Sequence, residues 1–225
     1  MVKLILLRHG QSEWNKANLF TGWVDIPLSQ EGITEAIAAG KELANTQIDC
    51  IYASSLLRAQ MTAFLVMAQH SSKKMPYIRR DPKESFSSWY EMGCKENAAL
   101  IPMYAAWELN ERMYGNLQAK NKKQTVDAYG EEQVQLWRRS YNIAPPDGES
   151  LEMTAKRSIP FFESKIIAEL KNGLNVLVCA HGNSLRSIVM EIEHLTQDQV
   201  LKLEIPTGVP LVYEYCNGSF EKVGL

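Results

Sequence analysis

The stretch Leu6-Leu7-Arg8-His9-Gly10-Gln11-Ser12-Glu13-Trp14-Asn15 decides how the rest of the chain is read. An apolar run, Val2 to Leu7, breaks abruptly into an arginine, a histidine and a glycine. A short apolar run bounded by turn residues predicts a buried strand. Here the strand hands a cation and an imidazole to a tight turn, and in open α/β sheets ligands bind at the carboxyl ends of strands. Far downstream a second predicted strand, Asn175 to Ala180, ends in the same way, in His181-Gly182-Asn183-Ser184. The chain has four histidines, His9, His70, His181 and His194, and two of them follow strong strands and precede glycine. A lone histidine is most often a satisfied core or turn residue. Two at equivalent strand ends point to chemistry.

The neighbours of the two histidines indicate what that chemistry acts on. Gly10 and Gly182 let backbone N–H groups approach a ligand closely. Asn183 and Ser184 fall at a predicted helix N-terminus, where free N–H groups and the dipole favour an anion. Arg58 falls in the first turn of another predicted helix, where the dipole does not favour a cation unless an anion lies between. With Arg8 added, the inferred ligand is a phosphoryl group. A neutral imidazole, with an ordinary pKa of about 6.5, is a competent nucleophile at neutral pH. Attack on phosphorus gives a phosphohistidine and splits one hard transfer into two easier ones. Arginines, backbone N–H groups and a second imidazolium can hold the equatorial oxygens. No metal is expected, since no carboxylate cluster stands out.

Working outward, Arg8 to Pro27 reads as a loop with some short helix. Ser29 is a candidate N-cap for a helix carrying Ile33, Ala36, Ile37, Gly40, Leu43 and Ala44 at helical spacing. Ile48 to Ser54 reads as a strand, followed by a Ser54-Ser55 cap and a helix from Leu56 to about Gln69. His70 to Ala106 shows little pattern beyond a candidate strand at Met75 to Ile78, and is read as an insertion or cap region. Lys122 to Arg139 reads as one helix. Ser150 opens a long helix to about Lys171, which Pro160 should kink. Leu185 to His194 is helical, and Thr196 with Gln199 forms a capping box for a helix to Leu203. Pro206 to Pro210 is a rigid loop, and Leu211 to Tyr215 a final strand. Strands alternate with helices, so the expected fold is α/β, one domain over residues 1–225, with a mainly parallel central sheet flanked by helices in three layers.

Composition excludes other classes. The formal net charge is −2 over 225 residues, so any basic site must be local, and no nucleic-acid or membrane partner is expected. Cys50, Cys94, Cys179 and Cys216 form no CxxC pair, which argues against a zinc knuckle or redox motif. The apolar run Leu4 to Leu7 is too short for a signal peptide, and the expected location is cytoplasmic.

Arg8-His9-Gly10 with His181-Gly182-Asn183 resembles the histidine phosphatase superfamily. Further stretches sharpen the resemblance to its cofactor-dependent phosphoglycerate mutase family. These are Asn18 to Trp23, Ser54 to Ala59, Leu109-Asn110-Glu111-Arg112 with Tyr114-Gly115, Tyr129-Gly130, Trp137-Arg138-Arg139 and Ile205 to Leu211. The resemblance covers most of the chain. It implies a phosphoglycerate mutase-like fold and interconversion of 3-phosphoglycerate and 2-phosphoglycerate, a step of glycolysis and gluconeogenesis, primed by 2,3-bisphosphoglycerate through a phosphohistidine on His9. It implies Glu111 as general acid/base, a task that favours a raised pKa, and His181 as the second histidine. Arg8, Asn15, Arg58, Gly182 and Asn183 match phosphate contacts. Thr21, Gly22, Tyr114, Lys122, Arg138 and Arg139 match groups for the carboxylate and second phosphate. A homodimer or other homo-oligomer fits the family. The chain departs from the common pattern at Met113 and Glu108, in a longer 70–106 segment, and in a shorter passage into Asp147-Gly148-Glu149-Ser150. That last stretch resembles the phosphatase branch, so hydrolysis of small phosphate monoesters is the alternative.

Overall fold

A computed structural model describes residues 1–79, 83, 85–90, 92–94 and 96–224; the parts of the expected 70–106 insertion at 80–82, 84, 91 and 95 lie outside the described residues. In chain order the elements are β1 (Val2–Arg8), α1 (Glu13–Lys16), α2 (Gln30–Glu42), β2 (Cys50–Ser54), α3 (Leu57–Gln69), β3 (Met75–Ile78), α4 (Ser87–Tyr90) and β4 (Leu100–Ala106). They continue with α5 (Lys122–Tyr129), α6 (Glu131–Arg139), α7 (Leu151–Phe161), α8 (Ile167–Lys171), β5 (Val176–Ala180), α9 (Gly182–Ile192), α10 (Gln197–Lys202), β6 (Pro210–Cys216) and β7 (Ser219–Val223).

The strands form one mixed sheet in the order β3-β4-β2-β5-β1-β6-β7. The first five are mutually parallel, and β6 and β7 continue the sheet antiparallel. The central strands are apolar on both faces, as strands covered twice must be. Leu4, Leu6, Tyr52, Val176 and Val178 pack against Phe162, Ile166, Leu185 and Ile188 on one face. Ile5, Leu7, Ile51, Leu177 and Cys179 pack against Ala39, Leu43, Ala63 and Val66 on the other. The sequence therefore alternates between two cores at a period of two, and helices α2 and α3 cover one face while α7 to α9 cover the other.

Several helix starts follow the sequence. The Ser29 and Ser150 hydroxyls accept from Gly32 N and Met153 N, and Thr196 with Gln199 closes a capping box. Elsewhere the structure differs from expectation. The Ser54-Ser55 pair does not cap α3 by side chain; the N-cap is Leu56. The expected helix from Lys122 to Arg139 breaks into α5 and α6 at Gly130, whose φ of 81° takes the chain out of the helix. The expected kink at Pro160 appears as a π-turn over Phe162–Ile166, with Ser164 Oγ donating to the Pro160 carbonyl at 2.7 Å. Leu211 to Tyr215 is not the last strand: Asn217 and Gly218, both at positive φ, turn the chain into β7. Both β3 and β4 lie between His70 and Ala106 and belong to the sheet. Pro102, a residue that cannot donate to a ladder, sits opposite Tyr77 just before β4 begins to pair with β2 at Met103. Among the described residues no helix is long and apolar enough to cross a membrane.

Candidate active site

Four parallel strands each deliver a functional side chain at the carboxyl edge. His9 follows β1, Arg58 enters α3 just after β2, Glu111 lies in the loop after β4, and His181 follows β5. Strands β1 and β5 are paired, with Arg8 opposite Ala180, so the two histidines emerge side by side. Their ring centroids are 4.8 Å apart at an interplanar angle of 61°. The His9 amide donates to the Ala180 carbonyl at 3.0 Å, which continues the ladder one residue into the turn.

The turn after His9 is fixed from several sides. Gly10 N donates to Thr62 Oγ1 at 3.3 Å, and a Cβ on Gly10 would overlap the Gly32 carbonyl of α2. Glu35 of α2 accepts from Gln11 N at 2.7 Å and from the Thr207 hydroxyl at 3.0 Å, tying the turn after His9 to the Pro206–Pro210 loop. That loop in turn holds Arg8, through Arg8 Nη1 to the Ile205 carbonyl at 2.8 Å and Gly208 N to the Arg8 carbonyl at 3.1 Å.

Both histidines are buried, and both have pKa values well below the ordinary imidazole value. For His9, burial is the main cause and the charges of Arg58 and Arg8 add to it, against an opposing hydrogen bond to the Gly10 carbonyl. For His181, burial is again first, followed by Arg58, His9, Arg8 and Arg157. Ser54 Oγ lies 2.7 Å from His181 Nε2, while His181 Nδ1 is buried without a partner. Arg58, fully buried, is lowered by burial to about 10 and stays charged at neutral pH. It donates Nη1 to the Val24 carbonyl at 3.0 Å and Nη2 to the Gly22 carbonyl at 2.8 Å, so its charge is anchored while Nε meets His9 Nε2.

Glu111 departs from the expected raised pKa. Burial pushes its carboxyl up, but the Asn183 amide, the Arg112 N–H and the charges of Arg8 and Arg58 outweigh it, and the net shift is downward. Oε1 accepts from Arg112 N at 2.8 Å, Asn183 N at 3.2 Å and Asn183 Nδ2 at 2.8 Å. These bonds stabilise the ionised form and leave Oε2 toward Gly182, where a Cβ would come within 3.8 Å of it. Neighbouring cations make a carboxyl more acidic, and an anion placed beside it acts in the opposite direction.

Arg8, His9, Arg58 and Glu111 line a cavity of about 170 Å³ together with Asn15, Thr21, Gly22, Tyr114, Lys122, Arg138, Arg139, Gly182 and Asn183. Every site residue expected from the sequence except His181 lines this cavity; His181 is fully buried beside His9, with its ring centroid 4.8 Å away. The lining holds Arg8, Arg58, Lys122, Arg138, Arg139 and Arg186 against the carboxylates of Glu111 and Glu204. Lys122 is lowered by burial and by Arg138 and Arg8, with Tyr114 and Glu111 opposing. Arg8 Nε and Thr21 Oγ1 are buried without partners. Unmade hydrogen bonds in a cation-rich cavity are what a polyanion would fill. Among the described residues no group of three His, Cys, Asp or Glu side chains could hold a metal ion.

The sequence reading missed several groups that act on the site. Arg186 and Glu204 line the cavity; Arg186 follows Gly182 by four residues on α9, a spacing that puts both on one face. Asn110 Oδ1 accepts from Ser55 N and Oγ at 3.0 and 2.8 Å, fixing the start of α3. Glu149 pairs with Arg157 at 2.8 Å and accepts from Met113 N, a supporting role that by itself favours neither a mutase nor a hydrolase. Arg157 Nη2 and Trp23 Nε1 both donate to the Glu111 carbonyl, at 3.0 and 2.6 Å. No local pattern marks these residues, because their partners are 46 and 88 positions away.

Comparison with known proteins agrees with this geometry. The model of the histidine phosphatase superfamily (branch 1) matches residues 4–107 and 94–225. The 2,3-bisphosphoglycerate-dependent phosphoglycerate mutase of Chlamydia pneumoniae is 57% identical over 223 residues, covering 99% of this chain and 97% of the relative. The enzyme of the same name from Protochlamydia amoebophila is 55% identical, with 99% of each chain covered. Among solved structures, a mycobacterial glucosyl-3-phosphoglycerate phosphatase superposes with a TM-score of 0.76 at 23% identity, covering 99% of this chain and 98% of the other. An alpha-ribazole phosphatase from Shigella flexneri superposes at 0.77 and 20% identity, over 100% and 96% of the two chains. At that identity the solved structures speak for the fold, whereas the family model and the full-length relatives place the chain itself in the histidine phosphatase superfamily, within its 2,3-bisphosphoglycerate-dependent phosphoglycerate mutase family.

Proposed function

We propose that this protein interconverts 3-phosphoglycerate and 2-phosphoglycerate by way of a phosphohistidine on His9. The observation that carries the reading is the pairing, in one cavity, of a neutral buried His9 with Glu111 and a cation set larger than one phosphoryl group needs. The Nε2 lone pair of His9 attacks phosphorus, the phosphorus–oxygen ester bond breaks, and the leaving oxygen takes a proton from Glu111. In the other half, Glu111 removes the proton from a substrate hydroxyl as that oxygen attacks phospho-His9 and the nitrogen–phosphorus bond breaks. Phospho-His9 thus gives its phosphoryl group to one hydroxyl and His9 takes back the group on the other. Glu111 must be ionised at the start of one half and protonated at the start of the other. Its lowered pKa suits the first, and the negative charge of a bound phosphoryl group raises its proton affinity for the second.

Arg8, Arg58, Asn15, Gly182, Asn183 and His181 are assigned to the transferring phosphoryl group. Thr21, Gly22, Tyr114, Lys122, Arg138 and Arg139 are assigned to the carboxylate and the second phosphate. The unpartnered Arg8 Nε and Thr21 Oγ1, on residues that line the cavity, support this donor set and fit a bisphosphorylated glycerate. 2,3-Bisphosphoglycerate, the cofactor in the relatives' name, supplies the phosphoryl group that primes His9. A coupled assay tests the proposal: 3-phosphoglycerate is converted to 2-phosphoglycerate, dependent on added bisphosphoglycerate. Release of inorganic phosphate at a comparable rate would identify a phosphatase instead.

A further inference from the structure

The outer wall of the cavity holds a contact that phosphoryl transfer leaves unused. Glu204, in the segment between α10 and β6, places Oε1 3.0 Å from Arg139 Nη1 and 3.4 Å from Arg186 Nη2. All three side chains line the same cavity as His9. Arg186 is held from behind, its Nε donating to the Leu203 carbonyl at 2.7 Å. The two arginines are like charges facing one region, and Glu204 is the carboxylate between them. Its side chain is 68% exposed, so the ion pairs are weak and the carboxylate can leave at little cost. It cannot go far, because the next residue, Ile205, accepts from Arg8 through its carbonyl at 2.8 Å. Glu204 is thus an anion tethered at the mouth of an anion site.

We propose that Glu204 is an internal competitor for the Arg139–Arg186 pair, displaced when the outer anionic group of a ligand arrives, and that it thereby discriminates against ligands of higher charge. The identity of those ligands rests on the mutase reading; the competition itself rests on the geometry alone. A carboxylate near the site repels a ligand in proportion to the ligand's charge. Glu204 therefore weakens a bisphosphorylated glycerate more than a monophosphorylated one. In a site that handles both, that difference keeps the more highly charged species from being held too long.

The test is calorimetric titration of the full chain carrying His9→Ala, so that no phosphoryl transfer occurs, with and without Glu204→Gln. The probes are 3-phosphoglycerate, 2,3-bisphosphoglycerate and inorganic tripolyphosphate. Glu204→Gln should tighten 3-phosphoglycerate about threefold and 2,3-bisphosphoglycerate about tenfold, both gains shrinking as salt rises. Glu204→Asp should restore most of the difference, and Glu221→Gln, an exposed change on β7, should alter nothing. Unchanged affinities for all three probes overturn the proposal. Weaker binding also overturns it, since Glu204 would then be positioning the arginines for the ligand. Failure of all three probes to bind in both backgrounds does the same, because the cavity would not be an anion site. If neither glycerate binds but tripolyphosphate still tightens with Glu204→Gln, the mutase reading fails and the competitor stands.

Discussion

Arg58 donates its Nε–H to Nε2 of His9 across 3.3 Å, while His9 Nδ1 lies 2.6 Å from the Gly10 carbonyl. A guanidinium only donates and a carbonyl only accepts. The ring is therefore held as the neutral tautomer with its proton on Nδ1 and its lone pair on Nε2. The contact that orients the ring also occupies its lone pair. A phosphoryl oxygen offers Arg58 a better acceptor, since charge-assisted hydrogen bonds to an anion are the stronger ones. On the proposed mechanism, arrival of the phosphoryl group draws Arg58 away and frees Nε2 for attack.

His9→Ala should abolish both turnover and acid-labile incorporation of phosphate from labelled bisphosphoglycerate. Labelling that persists in this variant would remove His9 as the nucleophile.

Two buried neutral histidines make the fold sensitive to acid. Their folded pKa values are lowered, so below about pH 6.5 the unfolded chain binds protons that the native state refuses. Stability should be level above that pH and fall below it by about 1.4 kcal/mol per pH unit for each histidine. Urea midpoints between pH 7.5 and 5 measure the slope, and His181→Asn should lower it by about half. A slope unchanged by that substitution would place the acid sensitivity elsewhere.

Glu111→Gln keeps an acceptor for Arg112 N and Asn183 but cannot carry the proton. We expect kcat to fall by about 10²–10⁴, with phosphorylation of His9 by a donor bearing a good leaving group largely retained. Ordinary turnover in this variant would take Glu111 out of the chemistry.

Glu149→Gln separates the support of the site from its chemistry. The Glu149–Arg157 pair is nearly enclosed, with side-chain exposures of 16% and 8%. Breaking it should cost about 3–5 kcal/mol in urea unfolding. Because Arg157 also holds the Glu111 carbonyl, kcat should drop about tenfold while KM changes little. A loss confined to stability would show that the Glu111 loop does not depend on this pair.

Much of the fold is written in local pattern. The runs Val2 to Leu7 and Asn175 to Ala180 are long enough and apolar enough to be strands in any context, and Ser29, Ser150 and Thr196 carry their own capping chemistry. The strand β4 was not legible, because Pro102 argues against a strand unless its pairing partner is known. The hairpin into β7 is legible in the sequence, since Asn217-Gly218 is a strong turn signal. The break at Gly130 was equally open to view, since a glycine within a polar helical pattern marks a permissible exit.

The site divides along the same line. The sequence by itself determined the chemical types: two His-Gly strand ends, the arginines, Glu111, Lys122 and the Arg138-Arg139 pair. Side-chain identity is local information, and the family resemblance rests on it. Only the tertiary structure decided how those groups are tuned. The sheet order sets β1 beside β5 and so one histidine beside the other. Burial among cations moves Glu111 down rather than up. Glu204 meets Arg139 across 65 positions of chain. Proton affinity and competition between charges depend on distance and on exclusion from water, and neither exists until the chain has folded.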